Sequence, residues 1–397
     1  MSFYTSRLLV LMSLSASFAS SAVDFTDPID GKLDMGEYLA ENAYGFLPVP
    51  ILITEPALGY GFGFAGVFLH ESDLQREKRK KLAATSLDGG AQLLTPAITV
   101  AGGLATENGT WMGFIGHRRT WNRDTIRYMG GLAYGDMNMT FYRQKNNAGA
   151  LEPIVGNSGV EFGMRGGGGG GMQQLQFRID DTPLFLGAVQ KYFQPELSIN
   201  SPPKADEILN RLGNTTPTAS GLGLLMEYDT KNNFLNPTEG MNYTVEYIWF
   251  RDGIGSDYDF DTLNIKGRHY WTLTPEWSVA ARGYYKSLYT DENFLPPPAY
   301  PDIELRGIAR NRYQGEQTLS LEGQVNYQWN IRWSSNVFAG LGYASSQHQS
   351  LFKGDEQYAY GVGFRYLIAR RYGMKTGIDL AFSEEDTAVY FQVGMGI

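Results

Sequence analysis

Alternation of apolar and polar residues with a period of two runs through most of the chain from Phe46 to Ile397. Between Leu319 and Trp329, for example, apolar and polar side chains take turns along the chain. Successive side chains of a β-strand point to opposite faces, so the pattern predicts strands with one apolar and one polar face. We expect an all-β fold of roughly sixteen antiparallel strands. The predicted strands lie near residues 46–54, 58–70, 97–105, 110–121, 125–143, 160–179, 183–199, 218–229, 241–251, 258–273, 277–290, 316–329, 332–346, 357–369, 374–383 and 387–397.

Composition favours a sheet protein and excludes several kinds of site. The chain has 48 glycines and 25 tyrosines, and its 19% of charged residues is low beside the roughly 25% of ordinary soluble domains. The absence of cysteine rules out disulfides, thiolate metal sites and a cysteine nucleophile. A net charge of −9 offers no basic surface for nucleic acid.

The first 22 residues have the features of a secretory signal peptide. Arg7 provides the positive charge, Leu8 to Ala19 the apolar stretch, and Ser20 to Ala22 the small residues of a cleavage site. No later run of about 18 apolar residues is long enough for a transmembrane helix. We therefore expect an exported protein that is either soluble or a membrane β-barrel.

Residues 23–45 are polar and are predicted to form a periplasmic N-terminal segment. Asp34 with Glu37 three positions later makes a capping box, which predicts a helix of two or three turns. A calcium loop is a poor fit to the acidic residues here, because Pro28 falls where a ligand is needed, so a solvated chain terminus is preferred. The acidic residues are Asp24, Asp27 and Asp30.

The lengths of the connections between strands distinguish a membrane barrel from a soluble sandwich. With the N-terminus on the periplasmic side, the periplasmic connections are mostly tight, as at Asn330. The alternate connections are mostly long, as between Thr290 and Gln314. Short turns on one rim, long loops on the other and an even strand number are typical of bacterial outer-membrane barrels. We therefore assign residues 46–397 to a transmembrane β-barrel in the outer membrane of a Gram-negative bacterium, with its apolar strand faces toward lipid.

One loop carries the most specific motif in the chain. Its sequence, LRGIARNRY from Leu305 to Tyr313, has an Arg-Gly pair followed by a hydrophobic residue. It resembles the sixth extracellular loop of the outer-membrane-protein assembly superfamily of BamA and TamA, which includes bacterial surface antigen barrels. The periplasmic turn before it, Tyr228 to Gly240, is similar to a conserved turn of that family through Asp229, Pro237 and Gly240. Two strand segments also resemble the family, Tyr360 to Tyr366 and Gly377 to Phe382.

The resemblance implies a loop that folds back into the barrel lumen. Within the motif of Leu305, Arg306 and Gly307, the arginine would meet acidic residues of the inner wall. The wall residues implied by the resemblance are Glu322, Asp379 and the neighbouring Arg365. Alternation independently turns these three side chains toward the lumen. The alternative is that these charges merely solvate a polar lumen.

Some features depart from the family. Its members carry periplasmic POTRA modules before the barrel, and we expect none here because residues 23 to about 44 are too few for one module. Lys231 stands where the turn motif usually has arginine, and Ile308 where the loop usually has an aromatic residue. The chain also ends in Ile397 instead of an aromatic residue.

Two functions from different classes remain open on the sequence alone. The first is an assembly or transport factor that handles polypeptide or lipid at a weak seam between the first and last strands. Pro48 and Pro50 would weaken that seam, because each lacks a backbone donor. The second is a passive channel or structural barrel. Expected partners are outer-membrane lipids and unfolded outer-membrane or secreted polypeptides, and the barrel is expected to be monomeric.

Catalysis and cofactor binding have little support in the sequence. The four histidines are scattered, and neither a G-x-S-x-G elbow nor an H-E-x-x-H helix is present. The glycine run from Gly166 to Gly171 lacks the Lys-Ser/Thr pair of a phosphate loop, so a strand softened by glycine is preferred. An acidic-pair hydrolase on the outer rim is a lesser alternative. We expect no enzyme activity, no cofactor and no metal site.

Overall fold

The computed structural model is one antiparallel sheet of sixteen strands, rolled into a barrel, in which each strand pairs with the next along the chain. This arrangement confirms the predicted all-β fold. The predicted signal peptide, residues 1–22, and residues 23–24 and 39–46 lie outside the described part. The structure describes residues 25–38, 47–70, 97–143, 160–199, 216–292, 295–346 and 350–396, apart from positions 28, 37, 234, 235 and 395, together with the isolated positions 74, 77 and 81.

The strand ends lie within three residues of the predicted ones, apart from the end of the last strand at Val393. The strands are β1 Leu47–Ile53, β2 Gly61–His70, β3 Ala97–Thr106, β4 Trp111–Trp121, β5 Ile126–Arg143, β6 Val160–Arg178, β7 Leu184–Ile199, β8 Ala219–Asp229, β9 Gly240–Phe250, β10 Phe260–Thr272, β11 Trp277–Thr290, β12 Gln317–Gln328, β13 Trp333–Ser345, β14 Asp355–Ala369, β15 Met374–Ser383 and β16 Thr387–Val393. Single 3-10 turns lie at Asp252–Ile254, Pro297–Ala299, Leu351–Lys353 and Arg370–Tyr372. No helix among the described residues has the length and apolar character needed to cross a membrane.

The two faces of each strand differ as the alternation predicts. On β12, Glu322 and Gln324 point inward and are buried, whereas Leu321 and Val325 point outward and are exposed. Four tryptophans near strand ends are also exposed on the outer surface; they are Trp249, Trp271, Trp277 and Trp329. The barrel therefore has a polar interior and an apolar exterior. We call the end of the barrel where β1 begins the N-terminal rim and the opposite end the loop rim.

The two ends of the sheet, β1 and β16, meet at a seam. Among the described residues, β1 pairs with β2 alone and β16 pairs with β15 alone. Alternate residues of a strand present their backbone donors to the same edge, so Pro48 and Pro50 remove two donors from one edge of β1. The β1–β2 ladder continues unbroken through both prolines, so the proline edge is the one that faces β16. The barrel is nearly closed, with a seam that the strand ladder does not bridge.

The connection between β11 and β12 folds into the lumen on the side of β13 and β14. Its apolar side chains form a buried cluster with the inner wall, made of Ile303, Leu305, Ile308, Tyr313, Ala344 and Ala359. Glycines on β13 provide the space for this cluster. A Cβ placed on Gly340 would lie 2.7 Å from Leu305 Cδ2, and one on Gly342 would lie 2.4 Å from Ile303 Cγ2. The loop therefore packs against the wall as part of the core.

The N-terminal segment corrects the expectation of a solvated terminus. Arg332, in the turn between β12 and β13, is 3% exposed and forms ion pairs with three aspartates. These are Asp27, Asp30 and Asp34, of which Asp27 also binds Arg370 beyond β14. The Arg370 hydrogen bond holds the pKa of the Asp27 carboxyl at about 2. Asp24 lies outside the described residues.

The predicted helix cap is present at Asp34, whose carboxylate accepts a hydrogen bond of 2.6 Å from the backbone N–H of Gly36. Gly36 and Tyr38 have helical backbone conformations. Glu37, the second member of the capping box, and the rest of the predicted helix lie outside the described residues. Before the helix, backbone bonds between Asp27 and Lys32 form a small hairpin against the N-terminal rim.

Candidate functional site in the barrel lumen

Arg306 lies inside the barrel with every guanidinium nitrogen hydrogen-bonded to the inner wall. Its Nε donates to Glu322 Oε1 at 3.0 Å, and its Nη1 donates to Asp379 Oδ2 at 2.7 Å. Its Nη2 donates to Glu322 Oε1 at 2.5 Å and to Gln324 Oε1 at 2.8 Å. The guanidinium also stacks over the Phe338 ring, 3.6 Å from the ring centre. A planar donor fork held by two carboxylates and an aromatic face fixes both the position and the orientation of the loop.

Each carboxylate that binds Arg306 also binds an arginine of the barrel wall. Asp379 accepts two hydrogen bonds from Arg365, at 2.6 and 2.9 Å. Glu322 accepts a 3.0 Å bond from Arg282 on β11. The two carboxylates are almost fully buried, with 1% and 0% of their side chains exposed. The sequence-predicted residues of the loop and wall thus lie together in one buried network.

Three members of this network were not identified from the sequence: Arg282, Gln324 and Phe338. Alternation turns all three inward, yet it does the same for many polar residues of the lumen. The useful signal was register, because Arg282 pairs directly with Glu322 across β11 and β12. Pairing register depends on turn geometry as well as on the apolar pattern, so it was not available from the strand pattern alone.

Gly307 is suited to its position by backbone conformation and by space. Its φ of +95° lies in the left-handed region, which strongly favours glycine. A Cβ there would lie 3.2 Å from Ala381 Cβ and 3.2 Å from the Phe382 backbone nitrogen. Its N–H donates to the Tyr390 hydroxyl at 3.0 Å, and its carbonyl accepts a 2.7 Å bond from Ser383. The loop backbone is therefore attached directly to β15 and β16.

The same loop also reaches the other side of the seam. The Arg310 N–H donates to Glu55 Oε1 at 3.1 Å, and Glu55 belongs to the connection between β1 and β2. On the β16 side, Arg312 forms an ion pair of 2.5 Å with Asp386. Residues 307–312 therefore contact both strand hairpins that border the seam, at the loop rim.

The predicted turn motif lies at the N-terminal rim, away from the loop. Asp229 accepts a bond from the Lys231 N–H at 3.3 Å, and its carboxylate lies 3.6 Å from the guanidinium of Arg127. Gly240 has a φ of +95°, and a Cβ there would meet the Thr230 carbonyl oxygen at 2.3 Å. Pro237 is buried in the turn. These contacts support a structural role in shaping the turn between β8 and β9.

One known protein family matches part of the sequence. The Omp85 superfamily domain matches residues 143–297, a range that includes the turn motif and ends before the loop motif. The match covers about two fifths of the chain, and over these residues the chain is similar to the Omp85 superfamily. No curated protein matches its sequence.

Several solved structures share the fold of this barrel. BamA from Haemophilus ducreyi lacking POTRA domains 1–3 is 11% identical with a TM-score of 0.56, covering 88% of this chain and 69% of BamA. CdiB from Acinetobacter baumannii is 8% identical with a TM-score of 0.53, covering 88% and 59%. CdiB from Escherichia coli is 10% identical with a TM-score of 0.54, covering 87% and 61%. The chain thus spans about three fifths of each CdiB chain.

Proposed function

We propose that the protein is an outer-membrane barrel that helps to insert or translocate polypeptide or lipid, and that it does so at the seam between β1 and β16. The observation that carries the proposal is the missing strand pairing at this seam, in a sheet whose other neighbours are all paired over the described residues. An unpaired strand edge is a template to which an incoming strand can add. A membrane-spanning polypeptide strand would find its backbone partners there.

The contacts of the loop support a seam whose two edges are held at a fixed position. Residues 307–312 contact both bordering hairpins at the loop rim, and Arg306 fixes this segment to the wall. The edge of β1 that faces β16 lacks two donors at Pro48 and Pro50, which keeps pairing across the seam weak. Because this edge is unpaired, an incoming strand can pair with it without first breaking backbone hydrogen bonds.

Closing the seam covalently tests the proposal in this cysteine-free chain. A cysteine at Ile51 on β1 would be combined with one at each of positions 388–392 on β16, and the fastest-oxidising pair retained. Proteoliposomes with the oxidised protein should no longer accelerate folding of an added unfolded barrel polypeptide, measured by heat-modifiable gel mobility. Reduction should restore the acceleration.

A matched control uses Val49→Cys with Ala65→Cys, which are paired across β1 and β2. This disulfide leaves the seam unchanged and should have no effect. Equal activity of the locked seam and the control would contradict insertion at the seam. No acceleration by the unmodified protein would contradict an assembly function.

A passive channel is the second candidate, favoured by the solvent-exposed Lys266 on the inward face of β10. The loop packs on the wall from β12 to β15, and Lys266 on the nearby strand β10 remains accessible to water. Single-channel conductance of the purified protein separates the two functions, because a channel would conduct without accelerating polypeptide insertion.

A further inference from the structure

The inward faces of β10 and β11 carry a group of cations around one tyrosine. Lys266 and Arg268 alternate with outward residues on β10, and Arg282 and Tyr284 do so on β11. The nitrogen of Lys266 and the guanidinium carbons of Arg268 and Arg282 lie 5.8, 5.7 and 5.6 Å from the centre of the Tyr284 ring. Arg268 also donates a 2.7 Å hydrogen bond to the Tyr284 hydroxyl. We call Lys266, Arg268, Arg282 and Tyr284 the cationic patch.

Within the described residues, the carboxylates near the cationic patch do not neutralise its positive charge. Arg268 and Arg282 stand directly opposite each other in the β10–β11 register, and like charges in such a pair destabilise a sheet. Arg282 has Glu322 as its acidic partner, but Arg306 shares that carboxylate. The inward carboxylate of β9, Glu246, is already paired with Lys191 at 2.6 Å.

The patch has donors available for a further ligand. The Nε atoms of Arg268 and Arg282 are buried and have no hydrogen-bond partner among the described residues. A buried donor without a partner costs free energy, which an acceptor would recover. Lys266 is exposed although it points inward, so water, and ions dissolved in it, can reach the patch. The chain as a whole is acidic, with a net charge of −9, so the positive charge of the patch is opposite in sign to the net charge of the chain.

We propose that the cationic patch binds oxyanions of the phosphate type, and that it makes the lumen favour anions over cations. Two arginines offer planar donor forks that match a tetrahedral oxyanion, and the flexible lysine adds a positive charge on the water-exposed side of the patch. Phosphate could reach the patch as a free ion or as a lipid headgroup. The inference deepens the channel candidate and does not depend on polypeptide insertion at the seam.

Calorimetric titration of the full chain in a neutral, phosphate-free detergent at constant ionic strength tests the binding. Inorganic phosphate should bind saturably at one site, and Lys266→Gln and Arg268→Gln should each weaken the affinity about tenfold or more. Lys353→Gln, which removes the same charge from an exposed 3-10 turn, should leave the affinity unchanged. If Arg268→Gln fails to show heat-modifiable folding, the exposed Lys266→Gln still provides the test.

A second arm uses a short-chain phosphatidic acid below its micelle concentration to distinguish the sources of phosphate. Binding of the free ion alone supports a soluble ligand, and binding of the lipid alone supports a headgroup. Binding of neither, or an affinity that Lys266→Gln leaves unchanged, would overturn the site.

Reversal potentials across planar bilayers of zwitterionic lipid in a potassium chloride gradient test the selectivity. The unmodified protein should prefer chloride, and Lys266→Glu should reduce or reverse the preference. A cation preference, a selectivity that Lys266→Glu does not change, or phosphate binding without any current would each overturn the role in selectivity. None of these results bears on the seam, so a failure here is distinguishable from a failure of the insertion proposal.

Discussion

Replacing Arg306 by alanine should release the lumen loop without unfolding the barrel. The substitution removes side-chain bonds to two buried carboxylates and one amide. Removal of one member of a buried ion pair costs about 3–5 kcal/mol. We expect about 3 kcal/mol here, at the lower end of that range, because Glu322 keeps Arg282 and Asp379 keeps Arg365. The strand ladder does not involve the Arg306 side chain, so the barrel should remain intact.

A loss of about 3 kcal/mol raises the open population of the loop about 100-fold. Arg310 and Arg312 are trypsin sites within the loop, and cleavage follows the open population when the loop recloses faster than it is cut. Tryptic cleavage there should therefore accelerate about 100-fold. Heat-modifiable mobility of the uncut protein should remain normal.

Two comparisons make this prediction specific to the buried network. Arg306→Lys should restore only a minor part of the protection, because one ammonium cannot span Glu322, Asp379 and Gln324 as the planar fork does. Arg165→Ala removes an exposed arginine that pairs with Asp136 on β5 and should change the cleavage rate little. An unchanged cleavage rate in a folded Arg306→Ala protein would refute the assignment of the loop anchor to this arginine.

Three further predictions concern the loop backbone, the N-terminal segment and the outer surface. Gly307→Ala should destabilise the loop by about 1–3 kcal/mol, seen as faster tryptic cleavage, whereas Gly323→Ala, with nothing within 4 Å of the added Cβ, should not. Because the pKa of Asp27 is lowered to about 2 from 3.8, attachment of the N-terminal segment should be complete above about pH 4 and weaken as the pH falls toward 2. A spin label on Lys32→Cys should gain mobility over that interval, and Arg332→Gln should make it mobile at pH 7. The four outward tryptophans should be quenched strongly by brominated lipids, and quenching only by water-soluble agents would contradict their orientation.

The strands could be predicted from sequence because one physical signal covers them all. In a barrel every strand has one face outward and one face inward, so the period-two pattern extends over nearly the whole chain. Prediction was weaker at the end of β16, where the alternation continues to Ile397 but the strand ends at Val393, because Gly394 and Gly396 have positive φ. Pairing across β1 and β16 is a relation between distant ends of the chain, and alternation within each strand carries no information about it.

The candidate site was partly predictable for a different reason. The alternation of apolar and polar residues placed Glu322, Arg365 and Asp379 on the inner wall. The Arg-Gly motif identified Arg306 as the loop residue. The N-terminal aspartates gave no such signal, because Arg332 and Arg370 lie 305 and 343 positions after Asp27 in the chain. Local sequence cannot distinguish a solvated acidic terminus from one that is bound by distant arginines.

The position of the loop inside the barrel is tested most directly by a disulfide that leaves the arginine network unchanged. Ile303 Cγ2 lies 2.4 Å from a Cβ built on Gly342, so cysteines at these two positions are within disulfide reach. Ile303→Cys with Leu341→Cys is the control, because residue 341 points outward on the same strand. We predict that the 303–342 pair oxidises rapidly in the folded, membrane-embedded protein and that the 303–341 pair does not. Failure of the 303–342 pair in a folded variant, or equal oxidation of both pairs, would contradict a loop held against the inner wall.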